Sequence, residues 1–201
     1  MSLKTLLSRR PIAIALAGPN GAGKSTFFDA HLADLELFFI NADVLTLELG
    51  IDPYAAADLA DKIRRQCVAQ RDSFIFETVF SDPVGDKLKF LKEIESAGYT
   101  VLLIFIGISA PEISEQRVAI RASQGGHDVP RDKLFERYSR TMNNLKRAFT
   151  SLQNVWVYDH SDLDRGYYLV AKVEDGHRIE VYEPTPEWLR ALLPSNQIHS
   201  S

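Results

Sequence analysis

Between an apolar run at Ile12 to Ala17 and a segment of helical character lies Gly18-Pro19-Asn20-Gly21-Ala22-Gly23-Lys24-Ser25-Thr26, which satisfies the spacing G-x-x-x-x-G-K-[ST]. Glycines at these positions let the backbone wrap with its N–H groups turned inward. The N-terminus of the following helix adds positive dipole, so such a loop cradles a polyphosphate. Lys24 is then expected to reach the β and γ phosphates, and the Ser25 hydroxyl to ligate Mg²⁺. The G-x-G-x-x-G spacing of dinucleotide binding is absent, and so is the Asn-Lys-x-Asp signature of guanine binders; that second absence is the sole ground for ATP over GTP.

A phosphate loop leaves open whether the γ-phosphate goes to water, to a metabolite or nowhere, so the residues facing it matter. In parallel sheets ligands lie beyond the carboxyl ends of the strands. Asn41-Ala42-Asp43 follows the second apolar run and Glu77-Thr78 the third, which places two carboxylates at that edge. Asp43 suits a general base toward an acceptor hydroxyl, with a helix N-cap as the plain structural alternative. Glu77 suits a hold on the acceptor or on a magnesium-bound water, or else an ion pair with a neighbouring arginine. Asn41, Thr78 and His127 complete the expected acceptor side, with Asn41 orienting the loop before Asp43.

Arg117 and Arg121 share a helix face, and Gly125-Gly126-His127-Asp128-Val129-Pro130-Arg131 follows, with Arg137 and Arg140 beyond. Like charges at i and i+4 mildly destabilise a helix, so the pair implies an anionic partner. The segment of about 109 to 140 is therefore expected to form a lid whose arginines, Arg131 among them, neutralise charge on a transferred phosphoryl group. The alternative is a solvated helix face paired with Asp128, Asp132 and Glu136. His127 reads as a hinge or hydrogen-bonding residue, since one histidine without a nearby Cys or His is a poor metal site.

These residues need an α/β scaffold, and strand-like and helix-like segments do alternate along the chain. The strand candidates are Ile12 to Ala17, Leu37 to Ile40, Phe74 to Phe76, Val101 to Ile106 and Val155 to Tyr158, apolar enough on both faces for a mainly parallel five-stranded sheet. Val84, Leu88, Leu91 and Ile94 repeat at helical spacing, with Ser81 or Asp82 as expected cap, Pro83 in the first turn and Gly98 as stop. Ser109-Ala110-Pro111-Glu112 has the capping-box pattern. A further helix carries Leu134, Tyr138, Met142, Leu145 and Phe149 on one stripe. Tyr167 to Val173 and Arg178 to Tyr182 alternate around Glu174-Asp175-Gly176-His177, predicting an antiparallel hairpin, and Thr185 to Leu193 reads as a closing helix with loose residues after Pro194.

The chain of 201 residues is about one domain's worth, so a single domain over 1 to 201 is expected. Its net charge of −4 argues against a surface for broad nucleic-acid binding. Cys67 is the one cysteine, so no intramolecular disulfide forms, and its line with Ala56, Leu59 and Ile63 marks it as a small core residue. Arg9 and Arg10 follow a short apolar patch, the reverse of a secretory signal, and Val101 to Ile106 is far below the ~20 residues a bilayer needs. A cytoplasmic protein without membrane partners is expected.

Taken in order, GPNGAGKST, FINAD, FIFET and RVAIRASQGGHDVPRDKLFERY resemble the zeta-toxin group of small P-loop kinases over roughly residues 11 to 160. The resemblance implies a P-loop NTPase/kinase fold and ATP-dependent phosphorylation of a small-molecule acceptor; in the best-known members this is a sugar hydroxyl of UDP-N-acetylglucosamine. It matches Asp43 to the family's general base, Lys24 and Ser25 to its phosphate and magnesium contacts, and arginines of the 117 to 131 segment to its γ-phosphate contacts. An antitoxin protein is an implied partner. The departure is size, since the hairpin and helix of Tyr167 to Leu193 stand where antitoxin-paired members have a longer carboxyl-terminal region. Two other readings stay open: a polynucleotide 5′-hydroxyl kinase, which needs a basic channel, and a nucleotide-binding module without transfer activity.

Overall fold

A computed structural model describes residues 3–123, 129–176, 178–194 and 198–200. Its sheet is built around β1 (Ile12–Ala17), whose six residues have no exposed surface. That burial follows from its place between two parallel neighbours, β3 (Phe74–Thr78) and β4 (Thr100–Gly107). Beyond β3 lies β2 (Phe38–Ile40), and beyond β4 lies β5 (Val155–Asp159), both parallel. The hairpin β6 (Tyr168–Glu174) and β7 (Arg178–Val181) adds to β5 antiparallel, and β8 (Ile198–Ser200) pairs with β7. The order is therefore β2-β3-β1-β4-β5-β6-β7-β8, so the five predicted parallel strands and the hairpin form one sheet of eight. The expectation of loose chain after Pro194 gives way at Ile198–Ser200, which takes the free edge of β7, while 195–197 lie outside the described residues.

Side-chain alternation divides the core in two, because successive strand residues point to opposite faces. Ala13, Ala15, Ala17, Phe74, Phe76, Leu103, Phe105, Val155 and Val157 face one layer. It is covered by α4 (Pro53–Gln70), α5 (Asp86–Ser96) and α7 (Arg131–Ala148), through side chains such as Ala60, Leu91 and Leu145. Ile12, Ile14, Leu16, Ile75, Leu102, Ile104 and Ile106 face the other, under Leu6 of α1 (Leu3–Leu7) and Phe27 of α2 (Lys24–His31). Cys67 is buried in the first layer as expected. The remaining helices are α3 (Ala42–Leu49), α6 (Pro111–Ser123) and α8 (Glu187–Arg190), the last shorter than its sequence pattern.

The start of α5 differs from expectation. α5 opens at Asp86 behind Gly85, which takes φ 84°, rather than at Ser81 or Asp82. The cause is tertiary: Thr141 Oγ1 donates to the Val79 carbonyl at 2.8 Å, and Asn144 Nδ2 donates to those of Phe80 and Asp82 at 2.9 and 3.0 Å. Those bonds hold the 79–82 backbone against α7, with Phe80 at φ 62° and buried. Val84 is left 69% exposed. No helix among the described residues is long and apolar enough to cross a membrane.

Candidate active site

The fold brings the ends of β1, β2, β3 and β5 to one edge, where Gly18, Asn41, Glu77 and His160 follow or close their strands. Gly18 has no substitute there, because at φ 145° a Cβ would sit 2.2 Å from the Ile106 carbonyl oxygen. Gly23 takes φ 91° and meets the Tyr167 hydroxyl where its Cβ would be, at 2.6 Å.

Successive carbonyls of the loop are held by side chains, the first by the loop's own lysine and the rest from outside. Lys24 Nζ donates to Pro19 at 3.1 Å, Ser114 Oγ to Asn20 at 2.5 Å and Arg117 Nη1 to Gly21 at 3.4 Å. His160 Nδ1 donates to Ala22 at 2.8 Å and the Tyr167 hydroxyl to Gly23 at 2.7 Å. The His160 and Tyr167 rings stack at 3.9 Å. With its carbonyls tied outward, the loop can turn N–H groups inward, the arrangement that binds phosphate. His160 keeps its proton donor at Nδ1 as the neutral ring, since burial, with the nearby Arg117, lowers its pKa against the Ala22 bond.

Beside the loop Glu77 of β3 is the hub. Its Oε2 accepts from Ser25 Oγ and from Asn41 Nδ2, both at 3.0 Å, and its Oε1 lies 3.7 Å from Lys24 Nζ. Burial lowers the Lys24 pKa, while Glu77 and Asp43 act to raise it. The Ser25 hydroxyl beside a carboxylate is a hard-oxygen pair of the kind Mg²⁺ accepts along with phosphate and water. No cluster of three or more His, Cys, Asp or Glu suited to a metal occurs among the described residues.

Asn41 is the cap of α3: its Oδ1 accepts from the Asp43 N–H at 2.8 Å and the Val44 N–H at 3.4 Å. The capping role weighed for Asp43 thus belongs to Asn41, and Asp43 stands exposed in the first turn with its carboxylate uncommitted to the helix end. Thr78 serves a turn, its Oγ1 accepting from Phe80 N–H at 3.0 Å. Asn41, Asp43, Glu77 and Thr78 line a cleft of about 170 Å³ together with Arg64 and Lys87.

The arginines divide. Arg117 is half-buried, and besides Gly21 it donates to the carbonyls of His160 at 2.9 Å and Ser161 at 3.0 Å. It therefore fastens α6 to the loop and to the end of β5, in place of the free lid position expected for it. Arg121, one turn on, is exposed, and its charge acts on Lys24. Arg131 pairs with Glu115 at 3.1 Å across α6 and α7 and lies over the Phe135 ring at 4.9 Å. Arg140 pairs with Glu136. Gly125, Gly126, His127 and Asp128 lie outside the described residues. Sequence reasoning passed over His160, Tyr167 and Ser114; the strand-end rule that found Asp43 and Glu77 would have found His160, one residue past β5.

With this geometry in view, the profile of the family described as zeta toxin matches residues 54–168, more than half of the chain. A crystal structure of AvrRxo1-ORF1:AvrRxo1-ORF2 with sulphate ions aligns at TM-score 0.69 and 18% identity, over 94% of this chain and 67% of that one. The same pair with ATP aligns at 0.62 and 20%, over 84% of this chain, which spans 60% of that one's length. The PezAT toxin-antitoxin system of Streptococcus pneumoniae aligns at 0.57 and 22%, over 81% and 72%. At these identities the structures show the fold. No curated protein matches.

Proposed function

The chain belongs to the zeta toxin family of P-loop phosphotransferases, and on that footing we propose that it transfers the γ-phosphate of ATP to a hydroxyl of a small metabolite, with sugar nucleotides such as UDP-N-acetylglucosamine as the first acceptors to try. The observation that carries this reading is the Glu77 hub, which joins the loop residues Lys24 and Ser25 to Asn41, the residue that presents Asp43. Asp43 takes the proton of the acceptor hydroxyl, and the hydroxyl's oxygen bonds to the γ-phosphorus as the bond to the β–γ bridging oxygen breaks and ADP leaves. Lys24 offsets charge on the phosphates, and the outward-tied loop presents N–H groups to them. Mg²⁺, held by Ser25 Oγ with Glu77 beside it, would supply neutralisation of the β and γ oxygens. Arg121, whose charge acts on Lys24, adds positive charge on this reading.

An antitoxin-like partner is a further part of the proposal. It is supported by the exposed apolar side chains Leu47, Leu49 and Tyr54, 73%, 54% and 79% exposed, on α3 and the start of α4. The test of the activity is Asp43→Asn. The amide keeps shape but accepts no proton, so a non-hydrolysable ATP analogue should bind as in wild type while transfer is abolished. Lys24→Ala is the companion that loses ATP turnover with the fold retained. Near-normal transfer by Asp43→Asn would remove Asp43 as the base, and unchanged turnover by Lys24→Ala would remove the phosphate-loop reading.

A further inference from the structure

Beside the cleft that Asp43 lines, three cations gather on one carboxylate. Asp61 Oδ1 accepts from Arg64 Nη2 at 2.6 Å and lies 3.3 Å from Lys87 Nζ, and its Oδ2 accepts from Arg65 Nε at 3.1 Å. Arg65 is largely in solvent, but Arg64 is 4% exposed and Lys87 half-buried. The Arg64 guanidinium lies 5.1 Å over the Phe76 ring, and its Nε is buried with no hydrogen-bond partner among the described residues.

A tie between α4 and α5 would be complete with Lys87 on Asp61. The Arg64 cation adds repulsion and a desolvation cost that one shared carboxylate does not offset. Arg64 and Lys87 line the 170 Å³ cleft that the carboxylates Asp43 and Glu77 also line. It adjoins a larger cleft of about 600 Å³ with which it shares Ala57 and Lys87, so Lys87 stands where the two meet.

We propose that Arg64 and Lys87 are specificity-determining residues that bind an anionic group, a phosphate or carboxylate, on the acceptor while its hydroxyl faces Asp43. The proposal rests on the kinase reading and adds the acceptor's charge class and the residues that read it. Asp61 holds the two cations in place and leaves their remaining donors for the ligand. A planar guanidinium and an ammonium converging on one oxyanion form charge-assisted hydrogen bonds, which a neutral isostere forfeits.

The experiment uses the full chain with saturating Mg²⁺ and a non-hydrolysable ATP analogue, so that added anions meet an occupied phosphate loop. Probes are paired by charge: N-acetylglucosamine with its 1-phosphate and with UDP-N-acetylglucosamine, glucose with glucose 6-phosphate and gluconate, and adenosine with AMP. Thermal shift and calorimetry should show at least one anionic member binding about tenfold more tightly than its neutral partner, the scale of one charge-assisted hydrogen bond. Lys87→Gln should erase that difference without changing affinity for the ATP analogue, and Lys87→Arg should restore it. With ATP in place of the analogue, the same anionic member should be phosphorylated, with the Lys87→Gln defect in KM rather than kcat. Equal binding within every pair, or discrimination that survives Lys87→Gln, overturns the proposal, as does a Lys87→Gln effect confined to melting temperature. Lys87-dependent anion binding without phosphate transfer would uphold the subsite and refute the kinase reading, which separates the two failures.

Discussion

His160→Ala is the sharpest probe of how the phosphate loop keeps its shape. The substitution removes the 2.8 Å bond to the Ala22 carbonyl and the stack on Tyr167. Ala22 has no exposed surface, so its carbonyl loses a donor where water has poor access. Leaving a buried acceptor unsatisfied costs about 1–3 kcal/mol, and losing an aromatic pair a further ~0.5–1.5 kcal/mol. The loop avoids much of this by turning the carbonyl toward solvent, and the energy then reappears when nucleotide forces the binding shape back. If about 1.5–3 kcal/mol enters that equilibrium, affinity for a non-hydrolysable ATP analogue falls roughly ten- to hundredfold. Tyr167→Phe keeps the ring, and the Gly23 carbonyl retains the Phe27 N–H at 2.9 Å, so only the 2.7 Å hydroxyl bond is lost. A net hydrogen bond of about 0.5–1.5 kcal/mol predicts a two- to tenfold loss. Isothermal titration in the presence of Mg²⁺ reads both, with melting curves to confirm folding. A His160→Ala protein that binds within twofold of wild type, or more tightly than Tyr167→Phe, would refute the reasoning.

Arg117→Ala should weaken binding of the ATP analogue and lower the melting temperature, because it cuts bonds to the carbonyls of Gly21, His160 and Ser161. Arg121→Ala should lower kcat with analogue affinity nearly unchanged, and a rate-only defect in Arg117→Ala would return Arg117 to the transition-state role expected from the sequence. For Asp61, burial pushes the carboxyl up, but the Arg64 hydrogen bond, the Lys87 and Arg64 charges and the Arg65 bond outweigh it and hold the pKa at about 2, against an ordinary 3.8. A depressed carboxyl contributes stability that is complete above its unfolded pKa and lost as pH falls through the folded one. Urea midpoints of wild type should therefore drop toward those of Asp61→Asn between pH ~4 and ~2, and parallel profiles would show that the cation cluster contributes nothing.

What the sequence determined is what depends on neighbours along the chain. The loop from Gly18 to Thr26 is contiguous, so its spacing alone implies the phosphate cradle, and strand ends are set by local apolar runs, which is why Asn41, Asp43 and Glu77 were found at the ligand edge. The α/β alternation and the hairpin were legible for the same reason. The start of α5 was not, because bonds from Thr141 and Asn144 reach back 62 and 64 residues to override a good local cap. The role of Arg117 was not, because helical spacing tells which face it shares with Arg121 and nothing of what α6 lies against. Tyr167 and His160 reach the loop across 144 and 138 residues. A hydrogen bond over such a span carries no periodicity or spacing that a sequence could display. It exists only because β5 and the turn into β6 are brought beside β1 by the sheet, so the tertiary structure alone decided what holds the phosphate loop and which cations share a cleft with Asp43.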